Sequence, residues 1–228
     1  MTAAEARFSP FGESALLLTL GERIEVDLNR RAHLVTTAVN RLRGKDPRLG
    51  RPVTGYASVL VPFDPLELDT SAVQAILAPS IEAALEADLD AGSTAQGRSR
   101  SVTIAARYGG TDGPDLDQVA EMHGLRPDDV VALHAGTTYR VFMLGFAPGF
   151  AYLGPLPAEL ATPRRATPRE RVPAGSVGIA GAQTAVYPFE TPGGWQLIGR
   201  TERQMWDLHS PSPALLGPGD IVRFEPAR

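Results

Sequence analysis

The chain has 228 residues, 43% of them apolar and 21% charged, with a formal net charge of -4, four histidines and no cysteine. That balance belongs to a folded chain rather than a disordered one, and the acidic excess argues against a protein whose main task is coating nucleic acid. Without cysteine there is no disulfide framework, thiolate nucleophile, zinc knuckle or cysteine-bound iron cluster.

The length allows one large domain or two smaller ones. No apolar run approaches the ~20 residues that span a bilayer, and the N-terminus lacks the basic and apolar blocks of a secretory signal, so a cytoplasmic location is expected. Ala15 to Leu20 reads as a buried strand, followed by a helix opened by Asp27 with Leu28, Ala32, Val35, Val39 and Leu42 on one face. Ser58 to Phe63 predicts a second strand, and Ser71-Ala-Val-Gln74 has the spacing of a capping box for the next helix. Val73, Ile76, Leu77, Ile81, Leu85 and Leu89 form its apolar face, and Pro79 is expected to kink or divide it. Asp90 to Gly97 has the small, polar composition of a linker, which predicts domains over residues 1–92 and 98–228.

Beyond it, Val102, Ile104 and Ala106 alternate with polar neighbours as in a half-buried strand over Ser101 to Tyr108. Two short helices are expected next, the first from Asp115 to His123 with Gly124 as its stop, the second starting near Pro127. Tyr139 to Leu144, Val177 to Ile179, Thr184 to Tyr187, Gln196 to Thr201 and Ile221 to Glu225 read as short strands separated by glycine and proline, the pattern of a small barrel or sandwich.

The stretch from Arg140 to Thr201 is dense in glycine, proline and arginine, the composition of rigid loops on a β scaffold. Ala174-Gly-Ser176-Val-Gly178 fails as a hydrolase elbow, because glycine is missing two residues before the serine and no helix follows; Ser176 reads as a turn residue. The histidines at 33, 123, 134 and 209 show no metal-ligand spacing, so no metal is expected. His134 is a candidate acid or base, with a helix C-terminal cation favoured by the macrodipole as the simpler account.

Arg164, Arg165, Arg169 and Arg171 lie among Pro163, Pro168 and Pro173. Guanidinium groups held in this way bind carboxylate or phosphate, and the same residues read equally as a solvated basic loop partly neutralised by Glu170. Phe146, Phe150, Tyr152, Tyr187 and Trp195 line either an apolar pocket or, as such clusters more often do, a core. Gly178-Ile-Ala-Gly181 and Pro192-Gly-Gly-Trp195 offer close backbone approach but lack the lysine of a phosphate loop, so ATP binding does not follow from them.

Gly145-Phe-Ala-Pro-Gly-Phe-Ala-Tyr-Leu153, both Pro-Arg pairs, the glycine-serine turn with Gln183, Tyr187-Pro188, and Pro192-Gly-Gly-Trp195 through Gly199-Arg200-Thr201 occur in an ordered set. With Gly113-Pro-Asp-Leu116, Leu133-His134 and Phe63-Asp-Pro65 upstream, the chain resembles, over nearly its whole length, the family called allophanate hydrolase subunit 1, Kip inhibitor, or the B subunit of bacterial 5-oxoprolinase. The resemblance implies an α+β protein, an N-terminal α/β sandwich-like domain followed by a cyclophilin-like β-barrel. It implies a larger homologous partner (allophanate hydrolase subunit 2, or the C component of 5-oxoprolinase) and a third protein (the A component of 5-oxoprolinase), which together open 5-oxoproline to glutamate with ATP in the complex. Hydrolysis of allophanate itself is not implied, since the serine and lysine apparatus of the amidases has no counterpart here.

Carried over by position, Arg164, Arg169, Gln183 and Tyr187 become candidates for holding a small anionic substrate, and Arg171 joins them from the arginine cluster. Phe146, Phe150, Tyr152 and Trp195 become pocket or interface candidates, and His134 also falls on a family position. The resemblance equally allows a regulatory protein that inhibits a sensor histidine kinase, while prolyl isomerase activity rests on barrel analogy alone.

Overall fold

Alternating apolar residues build the first part of the chain around one sheet. Strands β1 (Arg7–Pro10), β2 (Ala15–Thr19), β3 (Val53–Thr54) and β4 (Ser58–Pro62) pair antiparallel in the order β1-β2-β4-β3. Helices α1 (Val26–Arg43) and α2 (Thr70–Glu86) supply Ala32, Val35, Val39, Val73, Leu77, Ile81 and Leu85 to a core shared with Leu16, Leu18, Val59 and Val61. The structure, a computed structural model, describes residues 6–86 and 100–227. Leu89 and the expected linker Asp90 to Gly97 lie outside those residues. The chain divides into two compact units, Met1–Arg98 and Ser99–Arg228.

Two local expectations are corrected, and a third is narrowed. Glu25, not Asp27, occupies the N-cap of α1, and Asp27 sits in the first turn, where its charge still favours the helix dipole. The Ser71 capping box is not used: Asp69 Oδ1 accepts the Ala72 N–H at 2.7 Å, because a carboxylate is a stronger acceptor for an orphan helix N–H than a hydroxyl. Pro79 does not divide α2. A proline inside a helix costs about 3 kcal/mol, whereas fully burying an aliphatic side chain gains about 1.5–3 kcal/mol, and α2 buries Val73, Leu77, Ile81 and Leu85.

In the second unit β5 (Ser101–Tyr108), β6 (Thr138–Leu144), β7 (Ala151–Gly154), β9 (Ser176–Ala180), β10 (Gln183–Val186), β12 (Gln196–Arg200) and β13 (Ile221–Pro226) close into a barrel in the order β10-β7-β6-β13-β5-β12-β9. Closure removes the sheet edges, and only the β13–β5 pair is parallel. Helices α3 (Leu116–His123) and α4 (Pro127–Gly136) follow β5. Gly124 ends α3 in the left-handed region, as expected of a helix stop. Strands β8 (Arg169–Val172) and β11 (Thr191–Gly193) pair separately as a two-stranded flap.

Side chains of a strand point to alternate faces, so each barrel strand feeds two cores. Ile104, Val141, Leu153, Val177, Val186, Ile198 and Val222 come from all seven strands and meet in one cluster, which only the lumen allows. Phe150, Ala180, Ala185, Tyr187, Trp195 and Leu197 fall on the other parity and form a second cluster on the outer face, together with Val172 of the flap.

Candidate functional site

The outer cluster is a chain of aromatic edges. Phe150 meets Tyr152, Tyr187 and Trp195 with ring centroids 4.9, 5.3 and 5.7 Å apart, all near perpendicular. Phe146 leans on Phe150 and Tyr187 from outside, at 5.2 and 6.3 Å. It is 62% exposed, and its φ of 68° is the only positive value of a non-glycine among the described residues. A bulky residue held in that region costs about 1–2 kcal/mol, strain that gathers at functional surfaces. The expectation of a core therefore holds for Phe150, Tyr187 and Trp195, while Phe146 presents a face to solvent.

The backbone N–H of Trp195 donates to the Tyr187 hydroxyl. A Cβ on Gly193 would sit 2.5 Å from that oxygen, so this turn needs glycine. Burial pushes the Tyr152 and Tyr187 hydroxyls upward in pKa, and the positive charge of Arg164 opposes the rise at both. Arg169 acts in the same sense on Tyr187.

The four arginines separate. Arg165 Nη1 and Arg169 Nη2 both donate to Asp115 Oδ1, at 3.1 and 2.7 Å. Arg171 is 83% exposed and lies 4.0 Å from Glu190. Arg164 is exposed and has no ion-pair partner among the described residues. The expected neutralisation by Glu170 is thus corrected. Asp115 and Glu190 carry that part, because Arg169 to Val172 is a strand that pairs with β11 rather than a free loop.

Two donors beside the cluster, Arg169 Nη1 and Gln183 Nε2, are buried without a protein partner among the described residues. Gln183 opens β10 on the same parity as Ala185 and Tyr187, so the strand carries all three to the outer face.

His134 is elsewhere. It is fully buried, packed against Phe224 and Tyr139 with centroids 4.6 and 5.3 Å away. Thr184 gives its hydroxyl proton to the Gly178 carbonyl at 3.0 Å, so its oxygen accepts from His134 Nε2 at 2.9 Å. That leaves Nδ1 to accept from the Tyr108 hydroxyl at 2.8 Å. Desolvation lowers the imidazole pKa to about 3, which overturns the account of a helix-terminal cation: the ring is neutral at pH 7. Both ring nitrogens are taken up within the lumen. Ser176 is also buried, and its reading as a turn residue is corrected: it opens strand β9, after the turn at Ala174 and Gly175.

Three open clefts measure about 560, 430 and 380 Å³. The first involves Arg7, Phe8 and Gln74, the second Gln204, Asp207 and Leu215, the third Thr103, Arg107 and Arg200. None is lined by an expected site residue. Among the described residues no group of three or more acidic or histidine side chains is set to hold a metal, and no helix is long and apolar enough to cross a membrane.

The family model for the carboxyltransferase domain, subdomain C and D, matches residues 6–216. The 5-oxoprolinase B subunit of Bacillus subtilis (strain 168) is 39% identical over 216 residues, which cover 93% of this chain and 89% of that protein. That of Escherichia coli O157:H7 is 57% identical over 130 residues, covering 57% of this chain and 60% of that one. Among solved structures, TTHA0988 is 37% identical with a TM-score of 0.76 over 94% of this chain, which spans only 40% of TTHA0988. Urea amidolyase of K. lactis shares the fold at a TM-score of 0.80 and 22% identity, over 97% of this chain and 15% of its own length. The chain belongs to the carboxyltransferase subdomain C and D family, in which it stands with the 5-oxoprolinase B subunits.

Proposed function

We propose that this chain is a non-autonomous subunit of an ATP-dependent amide or lactam hydrolase complex of the 5-oxoprolinase type, converting 5-oxo-L-proline, ATP and water to L-glutamate, ADP and phosphate. The observation that carries the reading is the 39% identity to a 5-oxoprolinase B subunit, over 89% of that protein. ATP acts in the complex, and the partners are a larger homologous subunit together with a third hydrolase component. A region of the same fold makes up 15% of the K. lactis urea amidolyase, which is consistent with a module that works beside others. A cytoplasmic location follows from the need for ATP. The relatives' names give a regulator of histidine kinases no support.

In this reading residues 1–92 and 98–228 are separate domains, the second a cyclophilin-like barrel. The working surface is the outer face of that barrel. Arg164, without an ion-pair partner among the described residues and with a charge felt at the Tyr152 and Tyr187 hydroxyls, holds an anionic oxygen of the substrate or of a phosphorylated intermediate, with the buried Arg169 Nη1 as a second donor. Phe146 offers an exposed ring against which a flat lactam packs, and Gln183 supplies an amide donor. Phe146 also meets the partner protein. Arg171 stands outside this arrangement, and His134 is a scaffold residue of the lumen.

The test is coexpression with the two other components and an assay of ATP-dependent glutamate release from 5-oxoproline. Arg164→Glu is expected to lower turnover at least ~100-fold with assembly intact, the loss of a charge-assisted contact compounded by repulsion. Full turnover in that variant would remove the site; an assembled wild-type complex that releases no glutamate would remove the function.

A further inference from the structure

Asp115 joins three segments that are far apart in sequence. Its backbone N–H donates to the Leu197 carbonyl at 2.9 Å, while its Oδ2 accepts the Leu197 N–H at 2.6 Å, so the start of α3 is clamped to β12. The approach is close: a side chain on Gly113 would collide with the Ile198 carbonyl. Its Oδ1 then takes both Arg165 and Arg169, and the carboxylate is 4% exposed. The backbone leading into Arg165 is held from the start of the same strand and the turn before it, since the Arg165 N–H donates to the Gly194 carbonyl and Gln196 Nε2 to the Pro163 carbonyl at 3.1 Å.

A buried carboxylate with two guanidinium groups and one amide is an expensive arrangement, and an apolar packing of equal volume is often as stable. What the charge adds is direction. Asp115 uses Nη2 of Arg169 and leaves Nη1 buried with no protein partner among the described residues, while the charge of Arg169 is felt at the Tyr187 hydroxyl. It also anchors Arg165, the immediate neighbour of Arg164.

We propose that Asp115 is a positioning residue that orients Arg169 and, through Arg165, Arg164 toward the anionic oxygen of the substrate. This rests on the reading of Arg164 and Arg169 as the oxyanion-binding pair. Asp115 itself meets no substrate. It acts as the fixed counter-charge that keeps the arm from Pro163 to Arg171 from collapsing onto the site.

The experiment uses the assembled complex and separates KM from kcat for 5-oxoproline. Asp115→Asn keeps the volume and removes the charge; it is expected to raise KM about 10-fold or more, with kcat changed by no more than about twofold. In a double-mutant cycle the effects of Asp115→Asn and Arg169→Gln on KM should be strongly non-additive, because both break one contact. An unchanged KM in a folded, assembled Asp115→Asn complex, additive effects, or a loss of kcat that merely follows the folded fraction would overturn the proposal. If Asp115→Asn fails to assemble, Arg165→Gln decides: a raised KM supports the arm's role and an unchanged one overturns it. Turnover lost in Arg164→Glu but KM unmoved by Asp115→Asn sinks only this inference, whereas full turnover in Arg164→Glu sinks the underlying site.

Discussion

The lumen of the barrel and the outer face of strands β7, β9, β10 and β12 are made from alternate residues of the same segments, yet they obey opposite rules. In the lumen His134 is closed into a relay, from the Tyr108 hydroxyl through His134 and Thr184 to the Gly178 carbonyl. On the outer face Phe146 is strained and exposed, and donors of Arg169 and Gln183 lie buried without a protein partner among the described residues. A buried donor left unmade costs about 1–3 kcal/mol, so the lumen is the region that maximises stability and the outer face the one that holds binding capacity in reserve. One residue's difference in parity separates scaffold from proposed site.

The largest effect that sharpens this contrast is one of pH. His134 has an ordinary pKa of 6.5 when unfolded and about 3 when folded, so between those values the unfolded chain binds the extra proton. Stability is therefore fully present above pH 6.5 and falls as the pH drops toward 3, by roughly 1.4 kcal/mol for each unit. Urea titrations from pH 7 to pH 4 on the wild type and on His134→Gln should show a shallower pH slope in the variant; equal slopes would mean that the lumen is not closed around the ring.

Next comes Thr184→Val, which leaves His134 Nε2 without its acceptor and is expected to destabilise the chain by about 1–3 kcal/mol, read from the denaturation midpoint. Phe146→Gly should move stability by less than about 1 kcal/mol, since relief of strain offsets the lost ring contacts, while lowering the activity or assembly of the complex. A variant as active and as well assembled as the wild type would return Phe146 to the status of an idle surface residue. Smallest is Arg171→Gln. An exposed pair at 4.0 Å contributes little, so neither melting temperature nor turnover should change measurably.

Much of the architecture was legible in local pattern. The alternation of Val102, Ile104 and Ala106 gave β5, and Gly124 and Pro127 bounded the two short helices, because periodicity and backbone chemistry act within a few residues. The short strands β7, β8 and β11 were not legible. They hold glycine, proline or arginine in place of β-branched runs, and their pairing partners lie elsewhere in the chain.

The site shows the same division. Composition and spacing singled out the aromatic residues and the arginine arm, and the resemblance supplied the family. Asp115 was visible only as the start of a helix, and nothing local distinguishes it from Asp117 or Asp128. Its role depends on Arg165, Arg169 and Leu197, which are 50, 54 and 82 residues away. Likewise the charge state of His134 follows from burial by β5, β6, β10 and β13, not from its place at the end of α4. The amino-acid order determined the elements and the chemistry each carries, since those are short-range properties. Which arginine is neutralised, which histidine is silenced and which aromatic faces solvent was decided by barrel closure, because only closure determines which distant charges and surfaces become neighbours.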